Sequence, residues 1–135
     1  MSLIITLAID NIDRSNYFYR DILQLPIQRH ILQENNQEVL AITQGDSLIL
    51  LREASEVEAE HPAALQHLQR QSRGVGVSFD FQVDNLEQIH HTIERQRLTL
   101  LYELDDQEHG IHELWLHDPD NYLIILTQSN ADTAT

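Results

Sequence analysis

There is no cysteine anywhere in the 135 residues. That removes disulfide frameworks, thiolate nucleophiles and cysteine-zinc sites in one step. Positive charge is scarce as well: eight Lys and Arg stand against 22 Asp and Glu, a formal net charge of −14. Nucleic-acid recognition needs a basic footprint that displaces condensed counterions, and anionic membranes select for the same sign, so the composition argues against both partners. No apolar run approaches the length of a membrane span, and the opening MSLIITLAID is too short and too acidic for a signal peptide, so a cytoplasmic protein is expected. Also missing are a serine-histidine-acid order, a phosphate-cradling glycine loop and a nucleotide fingerprint. What is there is enough apolar material, 41%, to bury one core in a single domain, together with eight histidines that keep metal binding open. The acidity permits a cationic ligand, although its commoner role is to keep a small protein in solution.

The segment 3–9 alternates, with Leu3, Ile5, Leu7 and Ile9 on one face and Ile4, Thr6 and Ala8 on the other, which predicts a strand. Asp10 or Asn11 then caps a helix over 12–23, with Ile12, Tyr19, Ile22 and Leu23 on one side, ended by Leu25-Pro26. Strands follow around 27–32, 39–43 and 48–52, separated by a polar turn at Glu34 to Gln37 and by Gly45-Asp46. Residues 53–60 (EASEVEAE) read as an acidic connector, and 61–71 as a short helix that begins at Pro62. After Gly74 the pattern restarts. Val75 to Val83 alternates, Asp84 with Glu87 forms an acidic cap pair, and Leu86, Ile89 and Ile93 make a helical stripe. Strands then fit 98–104, 113–117 and 122–127. The expected organisation is an α+β fold of two βαβββ modules, about 1–53 and 74–128, joined by a linker at 54–73 and followed by a disordered tail at 129–135.

The last turn and strand, HDPDNYLIIL, show why the modules look duplicated. Pro119 presets φ, Asp118 and Asp120 can bond back to the backbone, and Asn121 tolerates the left-handed conformation. Ile9 to Asp13 matches Val83 to Glu87 at an offset of 83 − 9 = 74, and Leu48 to Leu51 matches Leu123 to Leu126 at 123 − 48 = 75. A one-residue indel separates the two halves.

On these residues the chain resembles the vicinal oxygen chelate superfamily, which includes glyoxalase I, bleomycin and fosfomycin resistance proteins and extradiol dioxygenases. Asn11 to Leu25 looks like its first helix, Arg73 to Asn85 like the opening of its second module, and Asp118 to Leu126 like its closing aspartate-proline-aspartate-glycine turn, with Asn121 in place of the glycine. The resemblance implies sheets that curl around a cavity, with helices on the convex side. Thr6, Leu50, Ser78, Asp80, Gln82, Glu113, Trp115, His117 and Ile125 would then face the cavity, alongside Ile4, Ala8 and Leu123. Metal-dependent members carry a histidine or carboxylate at up to four inward positions, which fall here on Ile4, Leu50, Ser78 and Ile125. Three apolar side chains and one hydroxyl offer no useful donor set. The resemblance thus implies the fold without the usual metal, and no cofactor is expected.

A displaced metal site could draw on His109, His112 and Glu113, with Glu103, but His112 and Glu113 are strand neighbours that point to opposite faces. His90 and His91 read as surface residues of the second helix. Asp80 and Glu113, with His117, would project beside apolar side chains, where a carboxylate could serve as a general acid or base, hold a ligand that stacks on Trp115, or pair with Arg29 or Arg52. The expected function is a metal-free small-molecule binding or sequestering protein, a homodimer, with a cationic or aromatic ligand. The alternative is an enzyme, such as a lyase, isomerase or dioxygenase-like protein, that uses a displaced metal or these carboxylates.

Overall fold

The computed structural model describes residues 3–65, 68 and 71–129. They fall into two compact units, Met1–Ser72 and Arg73–Thr135. The first runs β1 (Leu3–Ile9), α1 (Ile12–Asn16), a π-helical segment (Tyr17–Ile22), β2 (Ile27–Ile31), β3 (Glu38–Gln44), β4 (Ser47–Glu53) and α2 (Ala54–Glu60). The second runs β5 (Ser78–Gln82), α3 (Leu86–Arg95), β6 (Leu100–Asp106), β7 (Ile111–His117) and β8 (Leu123–Ser129). Each unit therefore contains a βαβββ sequence of elements, as its hydrophobic pattern predicts.

The strand orders are β1-β4-β3-β2 and β5-β8-β7-β6, with the first pair of each sheet parallel and the others antiparallel. The pairings are copies of one another. Thr6 pairs with Leu50 and Leu50 with Ala41; Asp80 pairs with Ile125 and Ile125 with Trp115. Trp115 is 74 residues beyond Ala41, whereas Ile125 is 75 beyond Leu50, so the extra residue lies in the connection between those strands. Between the paired residues Thr43 and Leu48 there are four residues, and between His117 and Leu123 there are five. The duplication thus tolerates its indel in a turn, where no side chain changes face.

In the first unit Asn11 is the cap: its side chain accepts a hydrogen bond from the Arg14 amide at 2.8 Å. The helix widens after Asn16, where Leu23 N–H donates to the Phe18 carbonyl five residues back. This wider turn lets adjacent pairs, Phe18 with Tyr19 and Ile22 with Leu23, all reach the core, and the two rings meet edge-on at 5.1 Å. Leu7, Ile9, Leu40, Ile42 and Leu51 are buried in the same unit. A regular α-helical reading of 12–23 finds Ile12, Tyr19, Ile22 and Leu23 but misses buried Phe18 and the π geometry that brings it in.

The acidic stretch expected to be a connector is instead α2, which lies against β1 and β4 and buries Ala54 and Val57. Two small or branched apolar residues three apart give it an inward face that its charge obscures. The helix expected at 61–71 is a turn at 61–65, where Leu65 N–H bonds the His61 carbonyl, and part of that range lies outside the described residues. Most of the expected tail, residues 130–135, lies outside them as well.

In the second unit Phe79, Phe81, Leu114, Leu116, Ile124 and Leu126 are buried against the α3 stripe of Leu86, Ile89 and Ile93. Asn85, not Asp84, caps α3 by accepting from Gln88 N–H at 3.1 Å. Strand β5 starts at Ser78 rather than Val75 because Gly74 and Gly76 both take positive φ in a turn closed by Val77 N–H on the Gly74 carbonyl. A Cβ on Gly74 would sit 2.9 Å from the Tyr122 ring and 3.0 Å from its Cα, so this glycine is needed for close approach as well as for its backbone conformation.

Candidate functional site

The turn 118–122 supports the end of the second sheet. Asp118 is buried, and its Oδ1 accepts from the amides of Asp120 at 2.8 Å and Tyr122 at 2.9 Å. Asn121 adopts φ 71°, the left-handed conformation expected of it. Arg73 reaches from the opposite end of the unit's sequence to Asp120 at 3.1 Å, with both side chains nearly excluded from water. Breaking one partner of such a pair is far costlier than the pair's net worth, so this ion pair pins the turn to the segment before β5.

On the face of this sheet opposite Phe79, Phe81, Leu114 and Leu116, strand pairing sets the expected residues, with Leu123, Thr127 and Tyr102, in three rows. Ser78, Leu123 and His117 form one; Asp80, Ile125, Trp115 and Tyr102 the next; Gln82, Thr127 and Glu113 the third. Trp115 Nε1 donates to Glu113 Oε1 at 3.1 Å, and its ring meets Tyr102 edge-on at 5.5 Å and 75°. Ile125 is buried, Trp115 and Glu113 are half-buried, and Ser78, Asp80, Gln82 and His117 are exposed. Seven of the nine expected residues thus share one face. A recess of about 350 Å³ at its turn end is lined by Ser78 and His117 with Gly74, Gly76, Val77, Asn121 and Leu123.

Thr6 and Leu50 are paired neighbours on the corresponding face of the first sheet. Leu50 lines a mostly apolar recess of about 420 Å³ with Pro26, Ile27, Gln28, His30, Leu32, Val39, Ala41, Thr43 and Leu48. The contributions of β2 and β3 went unread in the sequence, although the alternation of Val39, Ala41 and Thr43 would have found them once the Gly45-Asp46 turn fixed their register to Leu50.

The positions at which the resemblance would put metal ligands carry Ile4, Leu50, Ser78 and Ile125. They fail chemically, since hydrocarbon offers a divalent cation nothing and a lone serine hydroxyl is a poor neutral ligand. The displaced donors do not gather as a set either. His109 Nδ1 is held at 2.7 Å by Asp106 within its own turn, and Glu113 lies on the opposite face from His112. Instead His112 Nε2 approaches Glu103 Oε2 at 3.0 Å, and His90, read from sequence as a surface residue, joins them on the side of the sheet that α3 covers. The signal for His90 was its place in α3, four residues after Leu86 and three before Ile93, flanking the buried stripe. Arg29 binds Asp13 and Glu38, and Arg52 binds Glu60 and Gln37, so both guanidinium groups are engaged within the first unit.

No protein-family model and no curated protein sequence matches the chain. Solved structures do match it over nearly all of its length. A glyoxalase-related enzyme from Fulvimarina pelagi has a TM-score of 0.66 at 16% identity, covering 96% of this chain and 88% of that one. A lactoylglutathione lyase from Agrobacterium tumefaciens has 0.61 at 18%, covering 95% and 92%. The fosfomycin resistance protein FosX from Listeria monocytogenes has 0.60 at 15%, covering 98% and 96%. At such identities the likeness establishes the fold and not the chemistry.

Proposed function

We propose that this chain, which has the fold of the glyoxalase, bleomycin resistance protein and dioxygenase superfamily, binds a small molecule on its strand faces and uses no metal at the superfamily's positions. The observation that carries the proposal is Trp115, half-buried between Tyr102 and the Glu113 carboxylate, in a strand row that ends at the exposed carboxylate of Asp80. Aromatic surface beside negative charge suits an aromatic or amphipathic cation, because the ring faces and the carboxylates attract the same charge. The Ser78 and His117 recess would take a neutral polar end of the ligand. The net charge of −14 favours a cation at long range in addition.

Homodimerisation belongs to this reading. Leu3 and Ile4 on β1, Ile31 on β2, and Leu101 and Tyr102 on β6 are large apolar side chains left exposed on strands at the ends of the two strand orders. A second copy covering such strands would remove both apolar surface and unpaired backbone groups from water. Analytical ultracentrifugation tests this part by itself.

Trp115 is the only tryptophan in the chain, so its intrinsic emission reports on the proposed site without labelling. A panel of aromatic cations should quench or blue-shift that emission, while matched aromatic anions leave it unchanged. Asp80→Asn and Glu113→Gln should weaken cation binding by about tenfold each, in line with charge-assisted contacts of roughly 1.5 kcal/mol. Binding of anions alone, or emission indifferent to every cation at millimolar concentration, would defeat the proposal. The enzymatic alternative rests on the same two carboxylates. Its support is weaker, because Glu113 is already bonded to Trp115 and Asp80 is open to solvent.

A further inference from the structure

We infer that His90, Glu103 and His112 form a zinc site on the α3 side of the second sheet, separate from the strand face proposed to bind a small molecule. One donor atom from each residue lies within 4.8 Å of the other two. The three come from three different elements, α3, β6 and β7, which the packing of α3 on the sheet brings together. His112 Nε2 is 3.0 Å and His90 Nδ1 3.7 Å from the same Glu103 oxygen. Ligands of a tetrahedral zinc, bonded at about 2.0–2.1 Å, lie roughly 3.3–3.5 Å apart, so two of the three separations already bracket the required distance. The imidazole rings are inclined at 71° with centroids 6.4 Å apart, so they converge on the carboxylate rather than stack.

Two features distinguish this cluster from an ordinary surface ion pair. Its histidines are shielded, with side chains 22% and 28% exposed, whereas His91 and Glu87, a pair on the outer face of the same helix, are 68% and 85% exposed. Beyond the three donors, the second nitrogen of His90, Nε2, lies 3.4 Å from Glu94 Oε1. A carboxylate on the far nitrogen of a ligating histidine fixes the tautomer and strengthens the ligand, and it is the usual support of a zinc-bound imidazole. Two imidazoles and one carboxylate form a donor set suited to zinc, with a fourth position left for water or another ligand.

The test uses the full chain stripped with EDTA and titrated with zinc chloride against a chromophoric chelator. The wild type should take up one tight equivalent. His90→Ala and His112→Ala should each lower the affinity at least 100-fold, Glu94→Gln about 10–100-fold, and His91→Ala or His109→Ala less than about twofold. Should a ligand variant fail to fold, imidazole NMR of the wild type keeps the question open to refutation: zinc must shift the His90 and His112 resonances and leave those of His91 and His109 in place. The inference is overturned if the wild type takes up no stoichiometric zinc. It is overturned equally if folded His90→Ala and His112→Ala bind as tightly as the wild type, or if zinc moves only the His91 or His109 resonances. Trp115 emission is read separately, so failure here leaves the small-molecule proposal untouched.

Discussion

At Glu56, in α2, one carboxylate oxygen is buried with no hydrogen-bond partner among the described residues. Burial raises its pKa above the ordinary 4.5, the Glu53 charge adds to the rise, and Arg52 opposes it. A group whose folded pKa lies above its unfolded value stabilises the fold fully below the unfolded pKa and loses that contribution as pH rises through the folded one. At neutral pH the charged Glu56 therefore works against folding. Glu60, at the end of the same helix, behaves oppositely: its hydrogen bond from Arg52 lowers its pKa, and its contribution is lost as pH falls. Glu56→Gln keeps the shape and removes the charge, so it should raise the melting temperature at pH 7 by a few degrees, equivalent to about 1 kcal/mol. The gain should shrink as pH falls and vanish well below 4.5, where Glu56 is protonated in both folded and unfolded chains. A gain independent of pH would assign the effect to packing instead.

Among the elements, β4 and the turn before it show how the repeat was built. In both units the strand that follows this turn lies in the middle of its sheet, parallel to the first strand on one side and antiparallel to its hairpin partner on the other. Inserting one glycine between Gly45 and Asp46 reproduces the difference already present between the modules and should cost no more than about 1 kcal/mol. Inserting the same residue between Ile49 and Leu50 turns half the strand over, exchanging buried Leu51 for half-buried Leu50, and should abolish cooperative unfolding. Circular dichroism melts of the two insertions decide the matter. The same parity explains what was legible in the sequence. A strand's faces follow from alternation alone, so Asp80, Trp115 and Ile125 could each be assigned to the inward face before any pairing was known, whereas their meeting in one row needed the register. The helices were harder. The inward residues of α2 are masked by its glutamates, the π segment depends on which turn best buries Phe18 and Tyr19 together, and the meeting of His90 with His112 depends on packing between elements that no local pattern records.

For the whole molecule the governing quantity is the excess of 14 negative charges, because it sets the sign of the response to salt. Two effects compete. Salt weakens the ion pairs that Arg29 makes with Asp13 and Glu38 and that Arg20 makes with Asp21, but these have exposed side chains, and each is worth about 0–1 kcal/mol. Salt also screens repulsion among carboxylates over the whole surface, a sum over many pairs lying within or just beyond a Debye length of about 10 Å at 0.1 M. The Arg73–Asp120 pair is too well buried for salt to reach and does not alter the balance. With 22 acidic side chains against eight basic ones, repulsion should dominate. Raising sodium chloride from about 20 mM to 500 mM should therefore raise the melting temperature, and it should strengthen self-association of any homodimer, since two copies of an acidic chain repel one another. A melting temperature that falls with salt would mean that the few exposed ion pairs outweigh the acidic excess, and the long-range attraction invoked for a cationic ligand would lose its basis.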